Sequence, residues 1–198
     1  MITLSYSTLS SLMLQPHTWL NRQMGLETVE HGYMTQGKEN HKIIQAHLIG
    51  AKRDPRLERL NGLKFTTVET TEKDKKTLFT RALDKKYSIK TYMDGFNKTQ
   101  FLEIKTGNPP MPFSKFVRSY QRKLNAFIAP QFKEAVLISA TSDLRKITVY
   151  PCPLTEKDRQ EALEWVKKGI NVIENIKEFV KEEGRCQGCG YGKNCQFT

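Results

Sequence analysis

Asp94, Glu103 and Lys105 have the residue types and spacing to do phosphoryl-transfer chemistry if a short hairpin gathers them. Tyr92-Met93-Asp94 ends one strand-like stretch, Asn97-Lys98-Thr99 suits a tight turn, and Phe101-Leu102-Glu103-Ile104-Lys105 begins the next. Glu103 and Lys105 are two apart and share one face of a strand, while Ile104 between them points into the core. Carboxylates converging across a hairpin demand a cation, and hard oxygen ligands suit Mg2+ or Mn2+. Such an ion polarises a phosphoryl group and lowers the pKa of bound water. Lys105 would orient or deprotonate that water, or offset developing charge. A surface hairpin carrying a cross-strand ion pair would use the same three residues.

The elements around this hairpin follow from periodicity. Residues 8–24 carry Leu9, Leu12, Met13, Leu20 and Met24 at mostly helical spacing, with Pro16 expected to kink or divide the segment. Residues 25–35 read as a loop and 37–52 as a second helix, stopped by Asp54-Pro55. Alternating and β-branched residues predict strands at 63–71, 77–83, 87–96 and 100–106, the last two antiparallel neighbours. Gly107-Asn108-Pro109-Pro110 forces a loop, and 114–128 reads as one amphipathic helix. Strands at 134–141 and 145–150 flank Ser142-Asp143 and should end at Pro151-Cys152-Pro153. A long helix from Thr155, its expected cap, to about 182 closes the pattern.

Length fits one domain, and no apolar run is long enough to cross a bilayer, so no membrane partner is expected. Met1-Ile2-Thr3-Leu4-Ser5 lacks the basic flank and apolar block of a secretory signal, which makes a cytoplasmic setting the expectation. A formal net charge of +11 would concentrate a polyanion at the surface and puts nucleic acid first among partners, although a merely Lys-rich protein would carry the same charge.

Tyr92-Met93-Asp94-Gly95-Phe96 followed by Phe101-Leu102-Glu103-Ile104-Lys105-Thr106-Gly107 resembles the core of RecB-like PD-(D/E)XK nucleases. Ser5-Tyr6-Ser7-x-Leu9 with Gln15-Pro16 resembles the opening helix of that family, Gly37-x3-His41 the helix that supplies its histidine ligand, and Glu69 an acidic position before the catalytic hairpin. The resemblance spans most of the chain. It implies an α/β (α+β) restriction-endonuclease-like fold, a central mixed sheet flanked by helices, with a nuclease domain over 1–183 and a cysteine-containing tail over 184–198. It further implies that His41, Asp94, Glu103 and the Ile104 carbonyl ligate Mg2+ or Mn2+ and that Lys105 is the base or water-orienting group. His47 lies on a more apolar side and reads as packing, while His17 and His31 have no partner at metal-binding spacing. Gln121 resembles the glutamine of the family's Gln-x3-Tyr motif, but Asn125 stands where tyrosine is expected. Lys115, Arg118, Arg122 and Lys123 could track a phosphate backbone, with Tyr120 available for base stacking; a solvated helix face would look the same.

Cys186-x2-Cys189-x5-Cys195 resembles the C-terminal triplet that binds a 4Fe-4S iron-sulfur cluster in CRISPR-associated exonucleases and AddB-type members. Gln15 occupies the place of the N-terminal fourth cysteine, so a cluster would need another fourth ligand, Zn2+ would need a histidine, and Cys152 is an unsupported further donor. A tail with free thiols fits the same residues. The expected activity is metal-dependent hydrolysis of DNA, single-stranded or with free ends, by an exonuclease. The alternative is a non-catalytic nucleic-acid-binding or scaffold protein that retains the fold; a zinc or redox module acting through the tail is a third reading.

Overall fold

The computed structural model describes residues 1–14, 19, 32–67 and 78–175. The expectations for Gln15, Pro16, His17, His31, Glu69, residues 176–182 and the cysteines 186, 189 and 195 fall outside them. The chain forms β1 (Ile2–Leu4), α1 (Tyr6–Leu14), α2 (Gly32–Leu48), a 3-10 helix (Pro55–Leu60), β2 (Thr66–Thr67), β3 (Leu78–Ala82), β4 (Tyr87–Tyr92), β5 (Gly95–Phe96), β6 (Gln100–Thr106), α3 (Phe113–Arg118), α4 (Tyr120–Ile128), β7 (Glu134–Ala140), β8 (Ile147–Pro153) and α5 (Glu156–Glu174). This is a mixed α/β fold with helices flanking mixed sheets. Among the described residues no helix is long and apolar enough to cross a membrane.

The strand expected over 87–96 is divided. β4 belongs to a three-stranded sheet of order β1-β4-β3, and β5 to a five-stranded sheet of order β2-β5-β6-β7-β8. Met93 and Asp94 form the link between them, with Met93 buried in the core. β5 then turns antiparallel into β6 as expected, Gly95 opposite Leu102 and Phe96 opposite Phe101. The Asn97 side chain accepts from the backbone N–H of Thr99 and Gln100 and closes the turn. β6 and β7 run parallel, so Glu103, Ile104 and Lys105 lie beside Leu137, Ile138 and Ser139 at the centre of the sheet.

The two faces of this sheet receive different helices. Leu102, Ile104, Val136 and Ile138 pack against Ile44 and Leu48 of α2 and Leu57 and Leu60 of the 3-10 helix. Phe101, Ala135 and Leu137 pack against Phe116 of α3 and Phe132 on the opposite face. Glu103 and Lys105 share the parity of Phe101 and therefore look towards α3 and α4. A third apolar cluster joins Leu4 and Leu9 to Ile89, Leu124 and Trp165, and ties α1, α4 and α5 to β4. At Gly169 of α5 an added Cβ would come within 2.5 Å of a terminal methyl of Leu9, so any larger residue there would require that side chain to shift.

Several boundaries differ from expectation. α2 begins at Gly32, inside the expected loop, and ends at Leu48, ahead of Lys52; it passes through Gly37, a residue helices tolerate at roughly 1 kcal/mol relative to alanine. The segment 114–128 is two helices. Ser119 takes extended backbone angles and its hydroxyl accepts from the Arg122 N–H, so it caps α4 and ends α3. β8 continues through Pro151 and Pro153 because it is an edge strand, where a missing N–H need not break a ladder. α5 ends at Glu174 with Asn175 as its C-cap; Thr155 caps its start and Asp158 completes the capping box.

Arg122 corrects a functional expectation. The sequence places it among cations that could track a phosphate backbone, yet only 2% of the residue is exposed. Its guanidinium pairs with Asp158 and donates to the Val117 carbonyl at 2.7 and 3.1 Å. Capping of α4 sets this: one turn beyond Ser119 the side chain runs back under the α3–α4 junction and against the first turn of α5. Asp158→Ala would leave a buried guanidinium unpaired, so we expect a loss of roughly 3–5 kcal/mol in urea unfolding; a loss below 1 kcal/mol would show the pair to be dispensable.

The 3-10 helix backing α2 is anchored by Asp54, which caps it and pairs with Arg56 at 2.6 Å. That guanidinium lowers the Asp54 pKa to about 2. A depressed carboxylate contributes stability above its unfolded value of ~3.9 and loses it as pH falls through the folded value. Stability should therefore drop between about pH 4 and 2, and Asp54→Asn should flatten that limb of a pH series of urea midpoints.

Candidate active site

Asp94 sits where the two sheets part, and it is held from three sides. Its backbone carbonyl accepts from Gln45 Nε2 of α2 at 2.9 Å. Its Oδ2 accepts from the backbone N–H of Ile104 at 2.6 Å. Its Oδ1 lies 3.6 Å from His41 Nδ1, with both side chains about a quarter exposed (23% and 29%). His41 and Gln45 are four apart on α2 and so present one face to the hairpin. Gln45 was not singled out in the sequence, although that spacing from His41 was there to be read.

On the next strand Glu103 is buried and Lys105 Nζ lies 2.5 Å from its Oε1. The same ammonium donates to Gln121 Oε1 on α4 at 3.1 Å. Burial pushes the Glu103 carboxyl above the usual range; Lys105 pulls it down, Asp94 pushes it up again and His41 opposes that, the net being upward. For Lys105 burial works against the charge, but Glu103 and Asp94 outweigh it and hold the ammonium above the ordinary lysine value. Lys105 is accordingly a protonated donor in this arrangement.

Asp94, Glu103, Lys105 and His41 thus share one electrostatic neighbourhood, reached from β4–β5, β6 and α2. Among the described residues no three His, Cys, Asp or Glu side chains form a cluster that could hold a metal ion as they stand, and Glu103 is paired with Lys105 instead. The donor set itself, one imidazole and two carboxylates with a raised Glu103, suits a hard divalent cation. Ile104 donates its N–H to Asp94, and the N–H and C=O of one residue leave a strand on the same side, so its carbonyl faces that side too.

Beside Lys105 opens a cavity of about 370 Å³ lined by Tyr6, Lys105, Lys115, Arg118, Tyr120 and Gln121 together with Met111 and Ser119. Lys115 and Arg118 are exposed. Tyr120 is 41% exposed, but one face of its ring is stacked on Trp165 at 4.9 Å, which leaves a single face for a base. Gln121 touches Lys105 directly. Asn125 is fully buried and accepts from Thr91 Oγ1 at 2.6 Å, joining α4 to β4, while its Nδ2 has no partner. His47 is a packing residue as expected, its ring bonded to Asn61 and the Asp54 N–H. Cys152 is buried and free.

No protein-family model and no curated protein sequence matches the chain. Solved structures do. SSO0001 superposes with a TM-score of 0.60 at 16% identity, covering 98% of this chain and 86% of that one. An alkaline exonuclease from Laribacter hongkongensis gives 0.56 at 14% identity over 90% and 91%. The chain has a nuclease-like fold. A third structure, described as a putative exonuclease from Eubacterium rectale, agrees at 0.56 and 15% identity over 95% and 86%. Likeness at these identities establishes the nuclease-like architecture and leaves the chemistry to the residues.

Burial first, and the like charge of Asp94 with it, outweigh Lys105 in holding the Glu103 pKa up, so its ionisation opposes folding. Glu103→Gln removes the like charge and the buried ionisation, so in the absence of divalent ions the melting temperature should rise by ~2–4 °C, equivalent to roughly 1 kcal/mol for a chain of this size. A fall in melting temperature would show that the Lys105 pair dominates.

Proposed function

We propose that this chain is a divalent-metal-dependent nuclease that hydrolyses DNA phosphodiester bonds, acting as an exonuclease on single strands or free ends. The observation that carries the reading is the fork between the two sheets, where the His41–Asp94 pair and the Glu103–Lys105 pair lie on neighbouring elements near a cavity flanked by Lys115 and Arg118. The exonuclease names of two structural neighbours, and the dAMP bound to the Laribacter hongkongensis enzyme in a further structure, support the same class of substrate.

His41, Asp94, Glu103 and the Ile104 carbonyl would hold Mg2+ or Mn2+. When bound, such an ion supplies Lewis-acid polarisation of the phosphoryl oxygen and a more acidic water. Glu103 must exchange its contact with Lys105 for that role, and a bound cation would offset the like charge of Asp94 that now disfavours its ionisation. Lys105, protonated and steadied by Gln121, donates towards the attacking water or a non-bridging oxygen and offsets charge as the phosphorus–oxygen bond to the leaving group breaks. Gln45 fixes the Asp94 backbone, and the Ile104 N–H fixes its carboxylate, so one oxygen remains directed at His41. Lys115 and Arg118 would hold the backbone at the cavity mouth.

Labelled single- and double-stranded DNA incubated with Mg2+ or Mn2+ should be cut by the unaltered protein. Asp94→Ala, Glu103→Ala and Lys105→Ala should each lower the rate at least ~100-fold, and Gln121→Ala by a smaller factor of roughly 10. Activity that survives in Glu103→Ala and Lys105→Ala would sink the assignment, and absence of cleavage with either metal would favour a DNA-binding protein that keeps the fold.

A further inference from the structure

α4 and α5 pack antiparallel, and their contacts form a seam that begins at the active-site cavity. Tyr120 stacks on Trp165, Lys123 pairs with Glu161 and lies 5.1 Å from the Tyr120 ring centre, and Phe127, on the same face of α4, comes last. At that far end lies a second cavity of about 400 Å³, bordered by Arg81, Lys133, Glu156, Arg159 and Gln160 over the apolar Phe127, Pro130 and Leu163. Three cations face one carboxylate there. The Lys133 ammonium has no partner among the described residues. Arg81 lies over the Phe127 ring at 4.2 Å and spends one donor on the Phe127 carbonyl, and the rest of its guanidinium has no partner among the described residues. Arg159 donates to the Phe132 carbonyl at 3.2 Å and to Glu156 at 3.4 Å, and its buried Nε has no acceptor among the described residues.

We propose that this pocket binds a backbone phosphate of a nucleic-acid strand that runs along the α4–α5 seam from the active site. Guanidinium and ammonium groups over an apolar floor match a phosphodiester and its sugar. The ends of α4, nine residues long, are ~12 Å apart at 1.5 Å per residue. At ~3.4 Å per stacked nucleotide the strand spans about four nucleotides between the two cavities. The pocket thereby makes binding depend on length, a property the catalytic residues alone would not confer. This inference rests on nucleic acid being the substrate, and it concerns binding where the preceding reading concerns cleavage.

Binding of fluorescein-labelled 3- and 12-nucleotide single strands to the full chain, measured in EDTA across a salt series, separates the two. Lys133→Gln should weaken the 12-mer roughly three- to tenfold and lower the log–log salt slope by about 0.7, with the 3-mer unchanged. Gln160→Glu, which places a negative charge at the pocket, should act in the same direction, and Lys52→Gln, far from the seam, should do nothing. Equal affinity of the unaltered protein for both lengths, or wild-type binding by both pocket variants, overturns the proposal. Length-dependent binding without cleavage in Mg2+ or Mn2+ would leave this site standing and remove the nuclease assignment.

Discussion

The hydrogen bond from the Ile104 N–H to the Asp94 carboxylate is the constraint on which the rest of the site depends. A backbone donor at this position would normally belong to a sheet ladder. Here the partner strand stops at Gly95, opposite Leu102, and a side chain takes the vacant place. The two sheets can diverge at Met93–Asp94 without leaving a buried N–H unsatisfied, and the divergence opens the space in which His41, Glu103 and Lys105 approach one another. Satisfying the backbone and directing the carboxylate are one interaction.

Helices on opposite faces of the sheet contribute opposite parts of the site. α2 packs through Ile44 and Leu48 on the face of Leu102 and Ile104, and its His41 and Gln45 reach round the hairpin to Asp94. α4 covers the other face and offers Gln121 to Lys105. Alternation along β6 makes this division necessary, since neighbouring side chains leave a strand on opposite sides. The buried Arg122–Asp158 pair then locks α4 to α5 close to that contact. A substituent that disturbs the α3–α4 junction would move Gln121 and the basic rim together.

Buried charge is unevenly distributed between support and site. Arg122 finds Asp158 and two backbone acceptor contacts, which compensates its loss of water. Glu103 finds a single cation and faces a second carboxylate, so its compensation is incomplete. Incomplete compensation is the usual mark of a group kept for binding or chemistry. The far end of the α4–α5 seam repeats the pattern with opposite sign, three cations around one carboxylate.

The sequence by itself determined the hairpin, the shared face of Glu103 and Lys105, the core position of Ile104, the Thr155 cap and the packing role of His47, because each follows from local periodicity or turn chemistry. Local pattern could not show that the strand over 87–96 divides, since both halves keep strand-like residues and only the packing of two sheets separates them. It could not remove Arg122 from the phosphate-facing set, because a capping serine and a residue 36 positions away decide where that guanidinium lies. Gln45 and the Arg81–Lys133–Arg159 pocket are likewise products of tertiary structure. Which charges a fold buries, and beside what, depends on contacts between elements distant in the chain, and that is where the shape of this site was decided.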